Sequence, residues 1–167
     1  MKSYMKAEIA ATTVVLSMLL GSVGHPAEPK ASAAELTGVT ASFVYDDDGV
    51  IDNRDLTSGK LALWNTPIGE GDAGRPSTST FVIVGVKYPA GTGARLGEVA
   101  VTLRVRAQAS GRLVFHERAV VRPIAKERVA VPFLIRGTGC ESLRLEAGID
   151  GTIVTVMQRT INFKCGS

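Results

Sequence analysis

Histidine, cysteine and aromatic residues are scarce in this chain. Its 167 residues include two histidines, two cysteines and one tryptophan, and Phe, Trp and Tyr together make up 5%. One cysteine pair is too few for a zinc site built by protein ligands alone, which takes three or four nitrogen or sulfur ligands. So few aromatic side chains also leave no stacking platform for sugars or for nucleic-acid bases, and we therefore expect no nucleic-acid partner.

Patterns that would indicate catalysis are missing too. His116 is the single histidine after residue 33, and no G-x-S-x-G element is present to carry a nucleophilic serine. The spacing Gly69-x-Gly71-x-x-Gly74 matches a dinucleotide-binding loop, but that loop works only before a helix, and no helical pattern follows here. We therefore expect a protein that is not an enzyme. A hydrolase that uses two carboxylates brought together by the fold is the less favoured alternative.

The N-terminus has the three parts of a secretory signal peptide. Lys2 and Lys6 precede a charge-free apolar run over residues 9–23, and the small residues Ala-Ser-Ala follow it. A helix that spans a bilayer takes about 20 residues, which is longer than this run. We predict that residues 1–33 are a cleaved signal peptide, with a permanent anchor as the alternative. Residues 34–167 are then one domain in the periplasm or outside the cell, without a stable transmembrane anchor.

Both cysteines, Cys140 and Cys165, lie in the part that we expect to be exported. An even number of cysteines in an oxidising compartment predicts one disulfide. Closing a loop of this length stabilises a fold by about 3–4 kcal/mol in the chain-entropy model.

Beyond residue 34 the apolar residues follow the period of β-strands and not that of helices. Alternation runs through residues 39–45, 99–105, 113–122, 129–135 and 143–149, and residues 81–88 are apolar on both faces, which predicts a central strand. Leu61 and Leu63 predict a further short strand, and Asp150-Gly151 predicts a tight turn. Pro132 predicts an edge position or a bulge for its strand.

This spacing of strands predicts an all-β fold, a two-sheet antiparallel β-sandwich with one disulfide. It resembles immunoglobulin and fibronectin domains in architecture. The chain lacks the Cys…Trp…Cys order of true immunoglobulin domains, because Trp64 precedes both cysteines. We expect Trp64 to pack in the core. Such a fold hosts many unrelated functions, so it assigns no site residues.

Basic residues concentrate on one predicted hairpin, residues 98–122. A loop with Gly111 in the left-handed conformation sets Val105 opposite Phe115 and Glu98 opposite Arg122. In that register one outward face carries a set of candidate anion-binding residues: Arg104, Arg106, His116, Arg118 and Arg122. Arginine binds carboxylate and phosphate groups in a bidentate manner, so this face could hold an acidic polysaccharide, a lipid headgroup or a nucleic-acid backbone. No aromatic residue is interleaved with these arginines, which argues against nucleic acid. An ordinary solvated sheet face is the alternative.

Acidic residues concentrate in residues 46–55. If Gly49 is taken as the loop glycine, four carboxylates match positions of a calcium-binding loop: Asp46, Asp48, Asp52 and Asp55. The first ligand position is Val44, however, Asp55 replaces the bidentate Glu, and no flanking helices are predicted. A solvated acidic turn is the alternative, and we expect no required cofactor other than this weak calcium candidate.

Charge is also divided between the two halves of the chain. Residues 35–75 carry eight acids and three bases, whereas residues 76–167 carry thirteen bases and six acids. The small net charge of the predicted mature chain hides this division. The sequence therefore predicts an exported, non-enzymatic binding module of the cell envelope, with a protein or an anionic polysaccharide as its partner. A structural or assembly subunit that pairs through an edge strand is the alternative.

Overall fold

The computed structural model describes residues 34–88, 98–122, 127–150 and 156–166. The chain forms seven strands there: β1 (Glu35–Val44), β2 (Ser79–Lys87), β3 (Val99–Ala107), β4 (Leu113–Val121), β5 (Arg128–Arg136), β6 (Leu143–Ile149) and β7 (Met157–Ile161). Three short 3-10 helices span Leu56–Ser58, Thr66–Ile68 and Gly71–Ala73. The predicted signal peptide, residues 1–33, lies outside the described residues.

Two antiparallel sheets contain these seven strands. The three-stranded sheet has the order β1-β2-β5, and the four-stranded sheet has the order β4-β3-β6-β7. One face of each sheet contributes to a single shared core, because apolar side chains alternate along the strands. Val82 and Val84 on β2, and Leu103 and Val105 on β3, are fully buried in it. The predictions of an all-β fold and of two antiparallel sheets are therefore confirmed.

The β3–β4 hairpin has the predicted register. Val105 lies opposite Phe115, and Gly111 in the connecting turn has a left-handed φ of 71°. The register shifts between Val105 and Arg106, which leaves Val114 as an extra residue in β4. This β-bulge does not change which side chains of the rest of the hairpin face outward.

Two predictions about residues 61–64 are wrong. Leu61 and Leu63 do not belong to a strand, although Leu63 is buried in the core. The next residue, Trp64, forms an isolated parallel bridge with Lys164. Its side chain is 48% exposed and does not pack in the core. Leu63 occupies the buried apolar position in this segment, and the side chain of the next residue, Trp64, is therefore on the solvent side.

The predicted disulfide, Cys140–Cys165, is present, with its two Cα atoms 4.7 Å apart. Its position depends on the register of β6 and β7. A two-residue turn at Asp150-Gly151 would pair Ala147 with Val154, whereas Ala147 pairs with Met157. The register of β6 and β7 therefore differs by three residues from that of a two-residue turn, and the predicted turn itself, with Gly151, lies outside the described residues. Continued beyond the strands, this register brings the two cysteines to within one residue of each other.

The 3-10 helix Leu56–Ser58 closes one side of the shared core. Leu56 is 1% exposed and belongs to that core, and the helix packs against β1 and β7, the strands that border this side. Asp55 caps the helix through its side chain, which accepts a hydrogen bond from the Thr57 amide. None of the helices in the described residues is long and apolar enough to cross a bilayer.

Candidate functional site

The outer surface of the four-stranded sheet is strongly basic. Alternation along β3, β4 and β6 places the apolar side chains in the core and the intervening polar ones in solvent. We call the following outward-facing group the basic face: Arg104, Arg106, His116, Arg118 and Arg144. Arg104 lies directly opposite His116, and Arg106 lies directly opposite Arg144. Directly opposite residues have Cβ atoms about 5 Å apart, so these side chains can contact one ligand together.

Ion pairs neutralise part of this charge. Glu146 lies 2.9 Å from Arg144 and 3.7 Å from Arg106. Asp150, at the end of β6, lies 2.7 Å from the Nε atom of Arg118. Four arginines therefore face two carboxylates, and the surplus on the basic face is two positive charges. The pair of Arg118 with Asp150 is exposed and contributes little to stability, which leaves Arg118 available to a ligand. The Glu146 side chain is only 17% exposed.

Arg104 is the arginine of the basic face without an acidic partner among the described residues. It lies opposite Glu146 on β6, but the Glu146 carboxylate pairs with Arg106 and Arg144 instead. His116, on the other side of Arg104, is exposed and makes no side-chain hydrogen bond within the described part of the chain. The centre of the basic face is therefore a guanidinium that forms no direct ion pair with the described residues, although its charge acts on Asp150. Beside it lies the exposed imidazole of His116.

The Asp150 carboxylate is held in its charged form by the basic face. The hydrogen bond from Arg118 is the main cause of the lowered pKa of Asp150, and the hydroxyl of Thr102 and the charge of Arg104 lower it further. Asp150 therefore occupies the position that an anionic ligand group would take next to Arg118.

Four of the five predicted anion-binding residues belong to the basic face, and the fifth lies at the far end of the same hairpin. Arg122 lies just beyond β4 and forms the predicted ion pair with Glu98. The hairpin pattern missed Arg144 because that residue comes from β6. The alternation of Leu143, Arg144 and Leu145 already carried the necessary signal.

The residues predicted to bind calcium belong to an acidic segment, residues 46–55, that runs back along β1. Asp52 accepts hydrogen bonds from Tyr45 and Arg54. The bond from Arg54 is the main reason that the pKa of Asp52 lies far below its usual range. Burial, together with the bond donated to Asp52, raises the pKa of Tyr45. These three side chains form one closed network.

The other three candidate carboxylates have separate partners. Asp46 accepts from the amide and the hydroxyl of Thr78. Asp48 accepts from the Val50 amide and from Arg75. Asp55 accepts from the β1 amide of Ala41 and from Thr57. No group of three or more His, Cys, Asp or Glu side chains that could hold a metal ion occurs in the part of the chain that the structure describes.

No protein-family model matches the chain, and no curated protein has a significantly similar sequence. The two surfaces described above therefore provide the basis for a functional assignment. Of these, the basic face is the one whose charged side chains remain open to a ligand.

Proposed function

We propose that the protein is an exported, non-enzymatic binding module whose basic face holds an anionic glycan or an acidic protein segment of the cell envelope. The observation that carries this proposal is the position of Arg104. It stands at the centre of the basic face with His116 beside it and no acidic partner within the described residues. A guanidinium in this position can bind a carboxylate, sulfate or phosphate group in a bidentate manner.

The spacing of the basic face suits a ligand that carries several anionic groups. Neighbouring strands lie about 4.8 Å apart, and alternate residues on one strand lie about 7 Å apart. Arg104 therefore lies about 7 Å from Arg106 along β3 and about 8 Å from Arg118 on the neighbouring strand, and Arg106 and Arg118 lie about 14 Å apart. All three stand on a rigid sheet rather than on loops. A polymer with a repeated carboxylate or sulfate group can contact all three at once.

The order of the strands supports a fibronectin-like sandwich in particular. In the constant-type immunoglobulin order, the fourth strand pairs with the fifth in the sheet of the first strand. Here β4 pairs with β3 in the other sheet, which is the arrangement of a fibronectin type III domain. The disulfide supports export, because such bonds persist in oxidising compartments.

Binding to immobilised heparin tests the proposal, with a polygalacturonate gel as a second polyanion. We expect salt-sensitive retention, because ion-pair binding is screened by salt. The double variant Arg104→Ala with Arg118→Ala should elute at clearly lower salt than the wild type. The matched control is Arg128→Ala with Arg136→Ala, which removes the same charge from the other sheet. Equal elution of the two double variants would show that net charge alone causes retention and would overturn the proposal.

The Asp150→Asn variant tests the same site in the opposite direction. It removes the carboxylate that occupies Arg118 and raises the surplus on the basic face from two positive charges to three. We expect later elution from heparin than for the wild type. A variant that elutes with the wild type, or earlier, would contradict the role of Arg118 as a ligand contact.

A further inference from the structure

The outer surface of the three-stranded sheet differs sharply from the basic face. Register places Phe81 of β2 beside Leu134 of β5, and Ile83 beside Pro132, on the side that faces away from the core. Leu134 is 43% exposed, Pro132 is exposed, and Phe81 and Ile83 are half-buried. We call these four side chains the apolar face. None of the described residues packs a further layer over them.

The sequence alone did not reveal this face. Residues 81–88 are apolar on both sides, which predicts a central strand covered on both sides. The strand is central within its sheet, but the fold has two layers, so only the side with Val82 and Val84 is covered by the rest of the described chain. Apolar side chains on the other side are therefore an exposed patch, and such patches mark interaction surfaces.

Positive charge borders the apolar face at both ends. Lys87 and Arg128 lie side by side in one end row, with Glu35 as their neighbour on β1. Arg136 lies at the other end of β5, eight residues and therefore about 27 Å away. None of the three basic side chains forms an ion pair with another residue in the described ranges. The face is thus apolar in its centre, and each of its end rows carries a net charge of one positive unit, with Glu35 offsetting one of the two cations in the first row.

These charges argue against a second copy of the chain as the partner. A two-fold axis in the plane of the sheet stacks two such faces in one of two ways. Either each end row meets its own counterpart, or the row with Arg128 meets the row with Arg136. Each end row carries a net positive charge, since Lys87 and Arg128 outweigh Glu35 in one row and Arg136 stands in the other. Rows of net positive charge meet in both arrangements, which is unfavourable. A flat partner with an anionic surface and an apolar interior would match both the positive charge at the ends of the face and its apolar centre.

We propose that the apolar face docks on an anionic lipid surface. Phe81, Ile83 and Leu134 contact the boundary between headgroups and acyl chains, and Lys87, Arg128 and Arg136 bind the anionic headgroups. Peripheral binding of this kind depends on the apolar area that is buried and on the attraction of basic residues to anionic lipid. The face lies on the opposite side of the molecule from the basic face, so both surfaces can be occupied at once.

Flotation of the purified mature protein with vesicles tests this proposal. One set of vesicles contains phosphatidylglycerol and phosphatidylcholine in equal parts, and the other contains phosphatidylcholine alone. We expect the protein to float with the anionic vesicles and not with the neutral ones. Arg128→Gln with Arg136→Gln should weaken binding by about fivefold for each arginine, which corresponds to about 1 kcal/mol per basic residue. Leu134→Ser should weaken binding without a change in Tm, because its side chain already faces solvent.

The matched control is the basic-face variant Arg104→Ala with Arg118→Ala, which should float like the wild type. Three results would overturn the proposal. The first is no binding to either kind of vesicle, or equal binding to both. The second is loss of flotation in the basic-face variant, which would assign the lipid contact to the other sheet. The third is a dimer in sedimentation that Leu134→Ser dissociates, which would identify a second copy as the partner.

Discussion

The Asp52 carboxylate is stabilised in its charged form by an ion pair and by hydrogen bonds. Its side chain is 9% exposed and lies 2.6 Å from the Nη2 atom of Arg54, and the Tyr45 hydroxyl donates to it as well. Arg54 also donates to the Asp72 carbonyl. One arginine thus joins β1, the acidic segment and the loop after Leu63.

Asp52→Asn should lower the free energy of unfolding near neutral pH by about 1–3 kcal/mol, the usual loss for a hydrogen bond to a charged group. The pKa of Asp52 is lower in the folded state than in the unfolded state, so the unfolded state binds more protons as the pH falls. The stability from Asp52 is therefore complete above about pH 4 and is lost below it. Urea unfolding at several pH values should show the variant and the wild type converging in acid. A constant difference at every pH would contradict this role.

The Tyr88 hydroxyl presents the opposite situation. The side chain is 1% exposed, and its oxygen atom has no hydrogen-bond partner among the described residues. Burial raises the pKa of Tyr88, so the neutral hydroxyl is the form that is buried. A buried hydroxyl without a partner costs free energy, typically about 1–3 kcal/mol.

Tyr88→Phe should therefore leave Tm unchanged or raise it, because the ring stays in the core and the unpaired oxygen atom is removed. Thermal melts followed by circular dichroism measure the difference. Tyr45→Phe is the matched comparison, since its hydroxyl bonds both Asp52 and Arg54, and it should lower Tm. A drop for Tyr88→Phe as large as that for Tyr45→Phe would contradict this account.

At the level of elements, each of the four edge strands carries a feature that discourages pairing with another chain. The acidic segment covers β1, where the Asp52 amide donates to the Phe43 carbonyl. β5 contains Pro132, as its predicted edge position requires. β7 is only five residues long. β4 carries the bulge at Val114 and the inward-facing Glu117. These features favour the proposed binding module over a subunit that assembles by strand pairing.

Glu117 lies opposite Leu103 on the side of β4 that faces the core, yet it is exposed. Its neighbours on the same side, Phe115 and Ala119, are half-buried and pack against the core, so Glu117 interrupts an apolar row at the margin of the core. Glu117→Val should create a continuous apolar edge with Phe115 and Ala119. We expect a larger average mass in sedimentation than for the wild type at equal concentration. Glu117→Gln, which keeps the polar shape, should behave like the wild type, and association of both variants would contradict the explanation.

The acidic segment serves as cover for β1, and its carboxylates already have partners. Calcium would have to displace the Thr78, Arg75 and Arg54 bonds to gain ligands, so we expect no stabilisation by the ion. Thermal melts with calcium and with a chelator should therefore have equal midpoints. A higher midpoint in calcium that Asp48→Asn removes would instead support the predicted calcium site.

Alternation was a reliable guide wherever one side of a strand is buried. It predicted the β3–β4 register, the outward position of Arg104 and the charged residue opposite Leu103. It failed where exposure depends on a neighbouring layer of the fold, or where register depends on the length of a connection. The exposure of Phe81 depends on what lies outside the sheet, and the side taken by Trp64 depends on Leu63. The register of β7 differs by three residues from the one that Asp150-Gly151 indicates.

At the scale of the whole molecule, the disulfide joins the crossover between the two sheets to the end of the chain. Thr66 is fully buried beside it, and its hydroxyl donates to the Gly139 carbonyl. Nearby, Ser142 donates to the Phe163 carbonyl. The disulfide therefore lies in a region that hydrogen bonds also order.

The double variant Cys140→Ala with Cys165→Ala should lose about 3–4 kcal/mol of unfolding free energy, the value for a closed loop of this length. Urea unfolding at neutral pH measures the loss. The variant should keep the circular dichroism spectrum of a β protein, because both sheets share an intact core. A loss below about 1 kcal/mol would mean that the unfolded chain is already constrained near these positions.

The isolated β-bridge between Trp64 and Lys164 makes tryptophan fluorescence a reporter of the disulfide. Asn65 and Leu63 hold Lys164 through backbone hydrogen bonds, and the next residue is Cys165. We expect that reduction of the disulfide allows residues 164–166 to move away from the indole of Trp64. Since the protein has one tryptophan, a change in its emission or quenching would follow the oxidation state in real time, without any added dye.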